Sequence, residues 1–321
     1  MKRREFIGLV SAALALPALG RPAMAQVVNQ LKIMVPSGPG GGWDTTGRTV
    51  EQVLRGAGLI GSARVTNVPG AGGTIGLATF VNQNRNDAQA ILVGGLVMAT
   101  NIISNRSAVD LSMVRPLARL TGEYQAVAVP AASPYATLGD LLDDFRAKKR
   151  GVSWVGGSAG GTDHIMAALI AKAVGIGIGD LTYVGYPSGG EIQAAVLGAQ
   201  ASVGVSGLSE FSEHAAGGGM RILAVSAPER IPGVDVPTLR EAGVDVELVN
   251  WRGLFAAPDI SDEDQARLLG LVEAMVATPE WKAELERRNW TSTYLAGAEF
   301  GAFLEAENAR LKAVLAELGL T

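Results

Sequence analysis

The 321-residue chain is 48% hydrophobic, contains 42 glycines and carries a formal net charge of −4 at pH 7. A chain of this length and apolar content can bury a sizeable core in one large domain or in two, which excludes a disordered protein. It has no cysteine and no basic cluster, which excludes disulfide bonds and argues against a nucleic-acid partner.

The first 25 residues are typical of an export signal. A basic start with Arg3-Arg4 precedes an apolar run over 6–19, and an A-x-A motif ends at Ala25. We expect cleavage after Ala25 and export to the periplasm by the twin-arginine or the general secretory route. A membrane anchor is disfavoured, because the run is shorter than the ~20 residues that span a bilayer. This segment has a net charge of +3, so the remaining chain carries −7.

Short apolar segments alternate with helical patterns in two stretches of the chain. In the first stretch we predict strands at 31–35, 63–68 and 90–94 and helices at 45–54 and 74–83. The second stretch repeats this arrangement, with strands predicted at 152–155, 181–185, 201–205 and 221–225 and helices at 162–174 and 191–197. Such alternation is typical of parallel α/β units, so we expect two of them.

Two extended passages, 114–140 and 244–261, separate these units from the rest of the chain. We interpret them as crossings between two domains, which makes the first domain discontinuous. The predicted first domain is 26–125 with 246–321, and the second is 126–245. The C-terminal part is predicted to be helical, with N-caps at Ser261 and Thr278 and an amphipathic helix over 299–320.

Pairs of glycines recur where a predicted strand ends and a helix begins. They stand at 41–42, 72–73, 160–161 and 189–190, so each unit repeats strand, glycine pair and helix twice. Backbone N–H groups and the helix dipole favour an anion at such turns, and open α/β sheets bind ligands at this edge. Two such edges facing each other could clamp one small anion. The alternative is a set of tight turns that bind nothing.

Asp44 and Asp163 each follow one of these glycine pairs. We interpret both first as N-caps of the helices that begin there. The alternative is that their carboxylates accept a hydrogen bond from a ligand hydroxyl, an amine or a bound water.

Nucleotide and metal sites are not indicated. The dinucleotide motif G-x-G-x-x-G fails because Trp43 occupies its third glycine position, and no lysine lies between Lys32 and Lys148 to complete a phosphate loop. Metal sites need clustered histidine, cysteine or carboxylate ligands, and this chain has no cysteine and no paired histidines. We therefore expect neither a cofactor nor a metal.

A hydrolase is the alternative function. Residues 156–160 match G-x-S-x-G, with Ser158 between a predicted strand and a predicted helix, as in a nucleophile elbow. A catalytic triad needs a histidine, and the chain has only His164 and His214. His164 lies on the helix that the elbow opens, and His214 comes earlier in the chain than the hydrolase order requires.

Several segments together resemble, over nearly the whole chain after the signal, the substrate-binding receptors of tripartite tricarboxylate transporters, also called Bug receptors. They are PSGPGGGWDTTGR, NVPGAGGTIG, WVGGSAGGTDH, YVGYPSGGEIQAAVLG, RILAVSAPER, DVPTLREAG and NWRGLFAAP. The resemblance is greatest to the tricarboxylate-receptor branch. It implies an α/β clamshell of two domains with mixed and parallel sheets, which closes on a citrate-like di- or tricarboxylate and delivers it to a membrane permease. We expect a monomer that is not an enzyme.

The resemblance also implies which residues hold the carboxylate, largely through backbone amides and bridging waters. In the first domain these are Ser37, Gly41, Gly42 and Asp44. In the second domain they are Ser158, Gly161, Thr162 and Asp163. Tyr124, in the first crossing, and Ser206, at a strand end, are further candidates, and their alternative is an ordinary core or turn position. These motifs do not determine which positions contact the far end of the ligand.

Overall fold

The computed structural model describes residues 28–186, 189–288 and 290–321. The predicted signal and its cleavage site lie outside these residues. The first predicted α/β unit is present, and its three strands are parallel in the order β2-β1-β3. Its elements are β1 (Val28–Val35), α1 (Gly42–Gly56), β2 (Ile60–Asn67), α2 (Thr74–Gln83), β3 (Ala90–Gly95) and α3 (Leu96–Ser104).

The second unit has the same construction, with parallel strands in the order β6-β5-β7. In both units the first strand therefore lies between the other two. The elements from the first crossing onward are β4 (Arg115–Pro130), α4 (Leu138–Lys148), β5 (Ser153–Gly156), α5 (Thr162–Ala173), β6 (Thr182–Gly185), α6 (Gly189–Leu197), β7 (Val203–Gly207), α7 (Leu208–Ala216) and β8 (Met220–Val225).

Strand β4 joins the two units, and the chain returns along β9. The remaining elements are β9 (Val249–Ala256), α8 (Asp262–Ala277), α9 (Pro279–Arg287), β10 (Thr291–Ala296) and α10 (Gly297–Glu317). Residues 115–124 of β4 pair antiparallel with β9, whereas residues 125–130 pair with β7 and β8. This change of partner supports the predicted boundary near residue 125, which stays a prediction.

Local capping signals in the C-terminal part are confirmed. The hydroxyl of Ser261 accepts a hydrogen bond from the Asp264 N–H at the start of α8, and Thr278 caps α9 in the same way, with Pro279 as first helical residue. Helix α10 buries one face, which includes Phe300, as its apolar spacing predicts.

Three helices are missing from the sequence-based prediction: α3, α4 and α7. Helix α3 reads LVMATNIIS, which is apolar almost throughout and therefore has little helical periodicity. Helix α1 begins at Gly42 rather than at the predicted position 45. This earlier start moves Asp44 into the first turn, and it changes the role of that residue.

Candidate functional site

A cavity of about 430 Å³ lies between the two α/β units. Residues at the start of α3, α5, α6 and α7 line it, namely Val97, Thr162, Gly189 and, just before α7, Gly207. The first N–H groups of a helix have no intrahelical partner, so four helix starts converge on this space. The wall consists of Gly72, Val97, Asn101, Glu123, Gln125, Gly157, Ser158, Ala159, Gly161, Thr162, Asp163, Tyr186, Gly189, Ile192, Ser206, Gly207, Glu210, Asn250 and Arg252.

Strands β4 and β9 supply the charged floor of the cavity. Glu123 and Gln125 alternate along β4 with Tyr124, and Asn250 and Arg252 lie two residues apart on β9. Alternate residues of a strand face the same side of the sheet. The antiparallel register places Glu123 opposite Asn250, so the four polar side chains meet although more than 100 residues of the chain lie between the two strands.

Arg252 is the basic side chain in this wall. Its guanidinium Nη2 lies 3.5 Å from Glu123 Oε2, and the two side chains are 11% and 15% exposed. The guanidinium also lies over the ring of Trp290, 5.3 Å from its centre. Burial lowers the pKa of Arg252, which the negative charge of Glu123 opposes. A buried guanidinium with one long ion pair keeps donors available for a carboxylate.

The loop between β5 and α5 forms the opposite wall, and hydrogen bonds hold its shape. The Gly157 N–H donates to Asp163 Oδ2 at 2.7 Å, and the Tyr183 hydroxyl donates to the Gly157 carbonyl at 2.7 Å. The Gly160 N–H donates to Nδ1 of His164 at 3.1 Å. Burial raises the pKa of Asp163 to about 7, and the charges of Glu210 and Glu123 add to this effect. Beside this carboxyl, the hydroxyl of Thr162 is buried without a hydrogen-bond partner among the described residues.

This loop departs from the geometry of a nucleophile elbow. In an elbow the serine stands on a sharp turn directly between strand and helix. Here β5 ends at Gly156 and α5 begins at Thr162, four residues after Ser158. Nδ1 of His164 accepts the loop N–H, and the imidazole stacks on Tyr183 with ring centres 4.2 Å apart. Burial lowers the pKa of His164.

The loop between β1 and α1 is built in a similar way around Asp44. This buried carboxylate accepts hydrogen bonds of 2.8 Å each from the Gly40 N–H, the Arg48 Nε and the Asn67 amide. The hydrogen bond from Arg48, with those from Gly40 and Asn67, lowers the pKa of Asp44 to about 2, against the opposing effect of burial.

The prediction that Asp44 and Asp163 are N-caps is wrong. The N-caps are Gly41 and Gly161, and neither makes a side-chain cap. Because each helix begins before its aspartate, both carboxylates lie in the first turn and bond back to a loop N–H group, that of Gly40 or Gly157. Each aspartate thus holds its glycine loop against the helix start.

The predicted ligand residues fall into two groups. Ser158, Gly161, Thr162, Asp163 and Ser206 line the cavity together.

The first-domain candidates lie in the loop beside the cavity rather than in its described wall. Ser37 donates to the Gly38 carbonyl at 3.3 Å, Asp44 has the three donors given above, and Gly41 is exposed. A Cβ added to Gly42 would come within 2.9 Å of Arg252 Nη2, so this glycine lies directly against the guanidinium.

Tyr124 lies on the other side of β4 from Glu123 and packs against a second apolar cluster. Sequence reasoning missed Glu123, Gln125, Glu210, Asn250 and Arg252. A signal was present for four of them, because polar residues spaced by two interrupt apolar strands in GEYQ and NWR.

A larger cavity of about 670 Å³ lies between α3, the start of β4 and α10. Apolar side chains such as Ile102, Ile103 and Leu304 form much of its wall, with charged side chains including Arg106 and Lys312. Of these two cavities, the smaller one collects the starts of four helices and members of three predicted glycine pairs, Gly72, Gly161 and Gly189, so we take it as the candidate site.

The part of the chain that the structure describes contains neither a metal-binding cluster nor a membrane-spanning helix. No group of three or more histidine, cysteine, aspartate or glutamate residues there could hold a metal ion. Among the same residues, no helix has both the length and the apolar character needed to cross a membrane.

Comparison with known proteins gives consistent matches. The sequence profile described as tripartite tricarboxylate transporter family receptor matches residues 55–320. A UPF0065 protein of Bordetella bronchiseptica is 29% identical over 252 residues, which are 75% of this chain and 71% of that protein.

Solved structures agree with this match. A TctC solute binding protein from Polaromonas, solved without ligand, has a TM-score of 0.77 at 25% identity and covers 90% of this chain and 99% of its own. R. palustris Rpa4515, solved with adipate, has a TM-score of 0.74 at 21% identity, with 91% and 97% covered. The predicted fold class, an α/β two-domain clamshell with mixed sheets, is confirmed.

Proposed function

Because this chain belongs to the tripartite tricarboxylate transporter receptor family, we propose that it captures a small carboxylate in the periplasm and delivers it to a membrane permease. The family is one of periplasmic solute-binding receptors and is not an enzyme family. In this proposal the protein acts as a monomer after loss of residues 1–25. The ligand lies in the 430 Å³ cavity, between the β4–β9 floor and the loop before α5.

The observation that carries the proposal is the position of Arg252. Its side chain is 11% exposed and lines a cavity of metabolite size together with the start of α5. A guanidinium can hold a carboxylate through two parallel N–H bonds, and the N–H groups of Thr162 and Asp163, which have no partner within the helix, add donors at the helix start. These groups suit a carboxylate without requiring the negatively charged protein to attract it from a distance.

The proposed ligands are citrate-like di- or tricarboxylates. The family description supports this class, and the fold neighbour solved with adipate supports a dicarboxylate of similar size. A cavity of this volume holds one such molecule. The preferred acid depends on the residues that contact its far end.

Calorimetric titration of the mature protein with citrate, succinate and glutamate tests the proposal. We expect saturable binding of at least one acid and a change in tryptophan fluorescence, because Trp290 lies beneath Arg252. The Arg252→Met variant is the negative control, and the exposed Arg146 on α4 provides a matched Arg146→Met control. An absence of binding by a panel of small mono-, di- and tricarboxylates in a folded wild-type protein would overturn the proposal.

A further inference from the structure

The cavity wall contains more acidic side chains than the binding of a simple carboxylate requires. Glu123, Asp163 and Glu210 line the wall, against the single positive charge of Arg252. A dicarboxylate would bring two further negative charges into this space. Like charges at close range in a partly buried site repel each other strongly. A positively charged, hydrogen-bond-donating group of the ligand would relieve this repulsion.

Two glycines keep the carboxylates in the wall. A Cβ on Gly207 would lie 2.6 Å from Glu123 Oε1, and a Cβ on Gly189 would lie 2.5 Å from Glu210 Oε2. Glu210 also accepts a hydrogen bond of 2.6 Å from the Ser206 hydroxyl. The two carboxylates thus occupy space that any other residue at positions 189 and 207 would take.

The side-chain oxygen of Gln125 is an independent indication that the ligand carries a hydrogen-bond donor. This side chain lines the cavity and is only 2% exposed, and its Oε1 accepts no hydrogen bond from any residue that the structure describes. Two hydrogen bonds fix the backbone at this position: the Gln125 N–H donates to Ser226 Oγ and the Gln125 carbonyl accepts from the Ser226 N–H, both at 2.9 Å. A buried acceptor without a donor is costly, so this oxygen requires an N–H or O–H group from the cavity.

We propose that Glu123, Gln125 and Glu210 form an ammonium subsite, and that the preferred solute is an amino-substituted carboxylate. This inference rests on the proposed carboxylate-binding function. The carboxylates of Glu123 and Glu210 and the Oε1 of Gln125 are acceptors, and a protonated amine has three donors and no acceptor. Its positive charge also offsets the excess of wall carboxylates.

The ion pair of the wall indicates where the amine lies relative to the carboxylate. Arg252 Nη2 and Glu123 Oε2 are 3.5 Å apart and both line the cavity. A ligand that presents a carboxylate to the first and an ammonium to the second must carry the two groups close together. An α-amino acid does so, because both groups are attached to one carbon. Burial raises the pKa of Glu210, to which the charge of Glu123 adds, and an ammonium here would relieve that repulsion.

Matched ligand pairs that differ only in the amine test this subsite. We would titrate the mature protein calorimetrically with succinate and aspartate, and with glutarate and glutamate. We expect the amino member of at least one pair to bind about ten-fold or more tightly than its partner, as hydrogen bonds between charged groups allow. In Glu210→Gln and Gln125→Leu the preference should fall to about two-fold or less. Glu213→Gln, an exposed change on the same helix, should retain it.

The outcomes separate the two proposals. Tight binding of succinate, glutarate or citrate with no preference for an amine overturns the ammonium subsite and leaves the receptor function standing. Equal preference in wild type and in a folded Glu210→Gln protein also overturns the subsite. If none of these acids binds to the folded wild type, and a wider carboxylate panel fails as well, the receptor function is overturned and the subsite with it. Circular dichroism and melting temperature establish folding for each variant.

Discussion

Arg252 on β9 and Glu123 on β4 form a buried pair, with Nη2 and Oε2 3.5 Å apart, at the point where β4 changes its strand partners. The distance is longer than that of a strong charged hydrogen bond, so the pair leaves donor and acceptor capacity unused. A carboxylate ligand can therefore be added to the guanidinium without first breaking a tight ion pair. Both residues lie where β4 pairs with β9, and Glu123 also accepts a hydrogen bond from Ser209 of the second unit.

Replacing Arg252 should abolish most carboxylate binding. Arg252→Met removes the buried donors and leaves the Glu123 carboxylate beside the ligand, so we expect affinity to fall by about ten- to one-hundred-fold. Calorimetry measures the loss. In Glu123→Gln with Arg252→Met, part of the affinity should return, because the repelling charge is gone. Unchanged affinity in Arg252→Met would mean that the guanidinium does not contact the ligand.

Side chains introduced at positions 42 and 41 should have different effects on ligand affinity. A Cβ at Gly42 would lie 2.9 Å from Arg252 Nη2, whereas a Cβ at Gly41 would lie 3.6 Å from the nearest atom, the Gly38 carbonyl oxygen. Neither glycine has a positive φ, so neither change strains the backbone. We expect Gly42→Val to displace the guanidinium and lose most affinity while the melting temperature stays close to that of wild type. Gly41→Ala is the matched control and should bind normally. Normal affinity in a folded Gly42→Val protein would show that this loop does not influence the site.

Ser158 distinguishes a receptor from a hydrolase. In the exposed loop before α5 its hydroxyl is available to a carboxylate, so Ser158→Ala should weaken binding by about 1 to 2 kcal/mol. Calorimetry measures this change, and a chromogenic ester assay runs in parallel. Esterase activity in the wild type that disappears in Ser158→Ala, with binding retained, would favour the hydrolase alternative.

The Asp44 network should make stability depend on pH in the acid range. The folded pKa of Asp44 is about 2, below its ordinary 3.8, so its hydrogen bonds stabilise the fold above pH ~4. This contribution is lost as pH falls from about 4 through about 2, because below the folded pKa the carboxylate is protonated in both states. We expect Asp44→Asn to reduce the free energy of unfolding by about 2 kcal/mol at pH 6 and by much less near pH 2.

Urea unfolding of wild type and variant at several pH values measures this difference. Asp143→Asn is the control, because Asp143 lies on α4 with a side chain that is 81% exposed. A difference between wild type and Asp44→Asn that is the same at pH 6 and near pH 2 would argue against a perturbed carboxylate in the loop after β1.

Ligand binding should bring the two units closer together. The cavity lies between them and β4 and β9 run through the junction, so closure about these strands would shorten the molecule. We expect the radius of gyration from small-angle scattering to decrease when the preferred carboxylate saturates the mature protein. Arg252→Met under the same conditions should show no decrease. An identical scattering profile with and without saturating ligand would indicate a rigid, preformed site.

Much of the fold could be predicted from the sequence, because the signals involved are local. The alternation of apolar strands with glycine turns predicts the two α/β units, and helix α2 has the predicted bounds, 74–83. Ser261 and Thr278 are identifiable as caps because a cap depends only on a few neighbouring residues. The predicted start of α1 is three residues late, since the helix uses Gly41 rather than a side chain as its N-cap.

The same distinction between local and long-range signals applies to the residues of the site. The glycine loop that holds Ser158 and Asp163 is identifiable because the strand, the turn and the helix start are consecutive in the chain. The charged floor is not, because Glu123 and Arg252 become neighbours only when β4 and β9 pair antiparallel. The sequence by itself determined which strand ends carry exposed N–H groups, since that follows from local backbone geometry. Only the tertiary structure decided which charges face those groups. Strand register, together with the alternation of side chains between the two faces of the sheet, brings distant residues to one cavity.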